Sequence, residues 1–182
     1  MKRIILLVGL LSIPTGANAQ TMTETIDAAL AAAPGRAREG AAVIKWNADY
    51  TYETLKEGTN RLVCYDRSGE QRRRPFAVQC TSVANLDRVA QNRRFRAENA
   101  DAQAERAMVA AAEADGSRVL PEYGSLWIQM EGTDRASARI HTTIAVPGAT
   151  TESTGLPDTR TAGGAYIMNA GTSGAHIMTP GR

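Results

Sequence analysis

The chain has 182 residues, enough for one ordinary domain, with 21 basic against 19 acidic side chains and a 5% share of aromatics. Two of the bases, Lys2 and Arg3, fall in a leader that carries no acid, so the remainder is balanced at 19 against 19. That balance removes the electrostatic drive for nucleic-acid binding, which a basic surplus would have to supply.

Met1-Lys2-Arg3, the apolar run from Ile4 to Leu11 with Ile13, and Ala17-Asn18-Ala19 are the three parts of a cleavable secretory signal over residues 1–19. Pro14 and Gly16 cut the apolar run well short of the roughly 20 residues a membrane span needs. No cysteine follows the cleavage point to take a lipid anchor. The mature chain is expected to begin at Gln20, in the periplasm or outside the cell, with no membrane span after cleavage.

Residues 20–39 read as a mobile lead-in, partly helical: Thr23 to Asp27 places acids in a first turn, alanines follow, and Pro34-Gly35 ends the run. A single α+β domain is expected over 40–182. Ala41–Trp46, Tyr50–Lys56 and Arg61–Tyr65 have strand composition, separated by Asn47-Ala48-Asp49 and Glu57-Gly58-Thr59-Asn60, and read as an antiparallel meander. Asp66–Arg74 is a polar loop whose Arg72-Arg73-Arg74 lacks interleaved aromatics and reads as a solvated face. Phe76–Cys80 is a fourth strand.

Ala84–Asp115 contains no glycine or proline and has helix composition, with Ser82 or Asn85 as cap, Gly116 as stop, and a bend or break expected at Asn92–Arg96. Leu126–Met130 and Ala138–Val146 are strands. Ala165–Met168 and His176–Met178 form a terminal hairpin around Gly171-Thr172-Ser173-Gly174. The expected architecture is therefore an antiparallel sheet of about six to eight strands packed against one long helix, bent or broken near its middle.

Cys64 and Cys80 are the two cysteines. Export carries them to an oxidising compartment, and their strand positions around a polar loop predict one disulfide. His141 and His176 are the two histidines; if their strands are neighbours they could share copper or zinc, with Met168, Met130 or Met178 as thioether donors to Cu(I). Strict alternation puts His141, Thr143 and Ala145 on one face of their strand. Ser173, His176 and Asp158 supply the residue types of a hydrolase, but no G-x-S-x-G elbow accompanies them. Glu53, Glu57, Glu122 and Glu131 read as strand-end charges rather than a carboxylate pair.

Leu55-Lys56-Glu57-Gly58-Thr59-Asn60 followed by Cys64, the second cysteine Cys80, Leu126–Gly132, and Gly171-Thr172-Ser173-Gly174-Ala175-His176-Ile177-Met178-Thr179-Pro180 resemble an uncharacterised family of bacterial exported proteins. The resemblance implies one exported domain and brings no catalytic residue with it. The leading expectation is an exported soluble protein that acts as a non-catalytic binding or structural module, without a cofactor. Transition-metal binding through His141 and His176, and hydrolysis of an unknown substrate, are the alternatives.

Overall fold

A computed structural model describes residues 21–99 and 101–179, so the signal-peptide reading of residues 1–19 lies outside the described residues. Eight strands form one sheet in the order β2-β1-β3-β4-β5-β6-β8-β7. They are β1 (Ala42–Trp46), β2 (Tyr52–Lys56), β3 (Leu62–Asp66), β4 (Phe76–Ser82), β5 (Leu126–Gly132), β6 (Arg139–Ala145), β7 (Tyr166–Met168) and β8 (His176–Met178). Each strand falls where alternation and turn residues predict it, and the α+β class holds.

The strand order departs from a simple meander at its start. β1 pairs antiparallel with β2 and parallel with β3, so β1 lies between the two. The chain leaving β2 must therefore cross the beginning of β1 to reach β3. Gly58 makes that crossing: a Cβ there would stand 2.6 Å from the Ala42 amide nitrogen, closer than any side chain tolerates. The amides of Thr59 and Asn60 both donate to the Gly40 carbonyl, and the Asn60 amide group donates to Ala37 O at 2.9 Å. Local turn composition shows that the chain reverses at Glu57–Asn60; it carries no signal for which side of β1 the next strand joins.

Helix α1 (Met22–Ala29) opens with a reciprocal capping box between Thr21 and Glu24 and continues into a 3₁₀ turn at Leu30–Ala32. Ala29, Leu30 and Ala32 are buried against Val43, Cys64, Val78, Cys80 and Ile128. This segment is thus part of the core rather than a lead-in outside it. Its alanines give a weak apolar pattern, but their small size lets the backbone lie close on the sheet, and the Arg38 guanidinium ties the segment down through Leu30 O and Asp27.

On the opposite face α3 (Leu86–Glu98) covers Ile44, Val63, Tyr65 and Trp127 through Leu86 and Val89. The predicted break is displaced: α3 runs through Asn92–Arg96, and α4 (Ala102–Ala114) restarts at Asp101, whose carboxylate accepts from the Gln103 and Ala104 amides. Phe95 holds the helix together at the expected break because it is buried, with the Arg118 guanidinium 5.5 Å from its ring centre. Ser82 caps the 3₁₀ turn before α3, whereas Asn85 turns inward, bonding Thr81 Oγ1, Ser125 Oγ and the Glu122 amide. Among the described residues two short helical turns, α2 (Gly35–Arg38) and α5 (Thr151–Thr154), and a 3₁₀ turn at Arg160–Ala162 complete the set. Among the described residues no helix is long and apolar enough to cross a membrane.

Cys64 and Cys80 are directly opposed on β3 and β4 and joined by a disulfide, both fully buried under α1.

Candidate functional site

The face of the sheet beneath α3 carries a polar row across four strands. Register pairs Tyr65 with Gln79, Gln79 with Gln129, and Gln129 with His141. Directly paired residues share a face, so these side chains form the floor of a slot roofed by α3. Its inner end is lined by Tyr65, Gln79 and the arginines around Glu70. Its outer end is a depression of about 230 Å³ bounded by Arg88, Pro121, Thr143, Ser173, Gly174, His141 and His176. Asn92, Trp127 and Gln129 belong to both ends. Arg88, Asn92 and Arg96 are spaced four residues apart, which stacks them along one side of α3.

Glu70 is the electrostatic centre of the inner end. Arg67 grips both of its oxygens, at 3.1 and 2.9 Å, Arg96 approaches to 2.5 Å, Arg93 bonds the same carboxylate, and Arg73 Nε lies 4.0 Å away. Burial works against the charged carboxyl, yet these guanidinium groups hold its pKa below the ordinary value. The network extends through Arg73 to Glu131 and through Arg72 and Arg96 to Glu105. Five arginines therefore share three glutamates. The Arg72-Arg73-Arg74 run is solvated only in part: Arg72 and Arg74 are exposed, whereas Arg73 is half-buried, and Arg72 and Arg73 bridge the loop to α4 and β5 because the fold delivers Glu105 and Glu131 to them.

Arg88 is in a different condition. It is 6% exposed and donates to Val119 O and, at 3.3 Å, to Ser173 Oγ, leaving most of its five N–H donors unused. Among the described residues no carboxylate forms an ion pair with it. Desolvation and the neighbouring Arg118 push its pKa down to about 10, with Glu113 opposing, while the Glu113 carboxylate itself accepts from Ser173. A guanidinium remains charged at any physiological pH, so that downward push is an unmet demand for negative charge. Arg88 and Gly174 also border a larger cleft of about 750 Å³ beneath α4, lined by Arg72, Arg73, Arg88, Arg96, Arg106 and Arg118 against Glu105 and Glu113.

The residues singled out from the sequence converge in part. His141 and His176 do share a sheet face and a depression, as their alternation suggests. However, His176 pairs with Ala145, not His141. Four residues of strand separate the two backbone levels, about 13 Å at 3.3 Å per residue, so the histidines are not the directly opposed pair that would bring their rings together. Met168 is the register partner of His176, whereas Met130 pairs with Val78 and Ile140 and packs against the core of the opposite face. Among the described residues no group of three or more His, Cys, Asp or Glu side chains is placed to hold a metal.

The hydrolase constellation is likewise not assembled. Ser173 bonds Glu113 and Arg88, the His176 ring Nδ1 is 2.7 Å from Gly174 O, and Asp158 is exposed in the loop before β7.

Arg88 and the arginines around Glu70 escaped the sequence reading because charge on a helix ordinarily means solvent. One signal was present: α3 must bury one face on the sheet, yet its buried positions are Arg88, Val89, Gln91 and Phe95. A core-facing helix side that is half polar indicates a lined cavity rather than a packed layer. These observations define an α+β sheet domain with an arginine-bordered slot between sheet and helix. No protein-family model, curated protein or solved structure gives a significant match to the chain.

Proposed function

We propose that this chain is an exported, non-catalytic binding module that holds a small anionic ligand in the slot under α3. The buried Arg88 guanidinium, which lines the slot and among the described residues forms no ion pair with a carboxylate, Glu113 reaching it only through Ser173, carries the reading. Buried charges are ordinarily paired because an uncompensated one is costly. A cation kept in that condition beside Ser173, His176 and the Gly174 backbone suits a carboxylate or phosphoryl group arriving from outside. Polar groups on Asn92, Gln129, Thr143 and His141 would orient the rest of the ligand, and Trp127 supplies an apolar wall.

Export rests on the residue 1–19 signal pattern, with the Cys64–Cys80 disulfide in keeping with an oxidising compartment. Protein recovered from the envelope or medium of a bacterial host is expected to begin at Gln20 by intact mass; a mature chain retaining Met1 would contradict it.

The binding test is calorimetry of the mature protein against mono-, di- and tricarboxylates and phosphomonoesters at constant ionic strength. At least one should bind saturably and lose about 10- to 100-fold in affinity in Arg88→Gln, the span expected for a charged hydrogen bond. Absence of saturable binding across the set, or binding indifferent to Arg88→Gln, removes the proposal.

A further inference from the structure

At the inner end of the slot a cavity of about 120 Å³ lies between α3 and strands β3–β5. A single water needs roughly 10–15 Å³ of such space, so the cavity admits a group of several heavy atoms. Two side chains that line it, Tyr65 and Arg73, each carry a buried polar atom without a hydrogen-bond partner: the Tyr65 hydroxyl and Arg73 Nε, the latter 4.0 Å from the Glu70 carboxylate. Tyr65 is 1% exposed. Burial pushes its hydroxyl pKa well above the ordinary value, so it remains an O–H donor. Arg73 Nε–H is a donor only.

The lone pairs of Glu70 and Gln79 are already engaged. Glu70 is occupied by Arg67, Arg93 and Arg96, and Gln79 Oε1 accepts from Arg67. The side chains that line the cavity bring four arginines, Arg67, Arg73, Arg93 and Arg96, against the single carboxylate of Glu70, with Glu131 and Glu105 pairing to Arg73 and Arg96 from outside it. The donor-bearing side chains that line it come from separate elements: Tyr65 from β3, Arg73 from the β3–β4 loop, and Arg93 with Arg96 from α3. A planar carboxylate presents acceptors in one plane, whereas a tetrahedral oxyanion presents them in several directions.

We propose that this cavity is a subsite for a tetrahedral oxyanion, phosphate or sulfate, accepting from the Tyr65 hydroxyl and Arg73 Nε and balancing the surplus charge of the surrounding arginines. The anion is either free or the end group of a longer molecule extending past Asn92 and Gln129. The subsite does not depend on Arg88.

Phosphorus-31 line broadening, with Trp127 fluorescence as a second readout, should show saturable binding of inorganic phosphate to the mature protein at fixed ionic strength. Tyr65→Phe removes one oxygen and is expected to weaken binding about 3- to 10-fold, and Arg73→Gln about 10- to 100-fold, the spans for neutral and charged hydrogen bonds. Arg74→Gln, an exposed arginine of the same loop that lines neither end of the slot, should leave phosphate binding unchanged. Circular dichroism and the thermal midpoint verify that each variant is folded, and Tyr65→Phe keeps the test alive if Arg73→Gln does not fold. Glycerol 3-phosphate separates the sources: tighter binding than inorganic phosphate assigns the anion to a longer ligand, and weaker binding assigns it as free. Absence of saturable phosphate binding, meaning that the cavity holds water, overturns the proposal. So does equal binding by wild type, Tyr65→Phe and Arg73→Gln. Loss of phosphate in Arg88→Gln alone would move the anion to the outer end of the slot, overturning this subsite and leaving the Arg88 reading standing.

Discussion

Replacing Glu70 by Gln keeps the shape of the side chain and removes the charge that Arg67, Arg93 and Arg96 share. The exposures decide the size of the effect: the Glu70 side chain is 8% exposed, Arg67 6%, Arg96 12% and Arg93 18%. Water therefore cannot replace the lost carboxylate, and the substitution leaves buried cations facing one another. Breaking a buried pair from one side costs about 3–5 kcal/mol, which for a domain of this size lowers the thermal midpoint by roughly 6–20 °C at 2–4 °C per kcal/mol. Urea unfolding at pH 7 with the disulfide intact measures the loss. The pH dependence follows from the lowered pKa of Glu70: its contribution is complete above the ordinary value near 4.5 and is lost as pH falls through the lower folded-state value. The difference between wild type and Glu70→Gln should therefore narrow below about pH 4.5. A loss under about 1 kcal/mol, the range of exposed ion pairs, would refute the reasoning, as would a difference that stays constant down to pH 3.

Substituting both Cys64 and Cys80 by Ser should cost about 3 kcal/mol in urea unfolding, the chain-entropy value for a loop of this length, and an unchanged midpoint would show that the bridge adds nothing. Gly58→Ala must displace either the Ala42 backbone or the Glu57–Asn60 crossing, with a cost of about 1–3 kcal/mol expected for overpacking; a neutral result would deny the tight crossing. Titration of Zn(II) and Cu(I) should give the same affinities for wild type and the His141→Ala, His176→Ala double variant, because the two histidines lie on backbone levels about 13 Å apart. A metal affinity that disappears in the double variant would contradict that register.

Everything governed by local chemistry was legible in the sequence. Alternation and turn residues place all eight strands within a few residues, the alternation of Ile140 to Val146 assigns His141 to the face it occupies, and two cysteines in adjacent strands imply their bridge. The position of the helix break was not legible, since Asn92–Arg96 looks interrupted until Phe95 is seen buried against Arg118. What only tertiary structure decided concerns partners distant along the chain. Whether β3 joins β1 or β2 depends on a backbone crossing at Gly58, and the separation of His141 from His176 depends on a β6–β8 register that neither strand specifies alone. An arginine carries no mark of its eventual partner. Arg93 and Arg96 become structural because the fold brings to them the Glu70 that Arg67 already grips, and Arg88, on the same helix, faces a slot where among the described residues no carboxylate forms an ion pair with it.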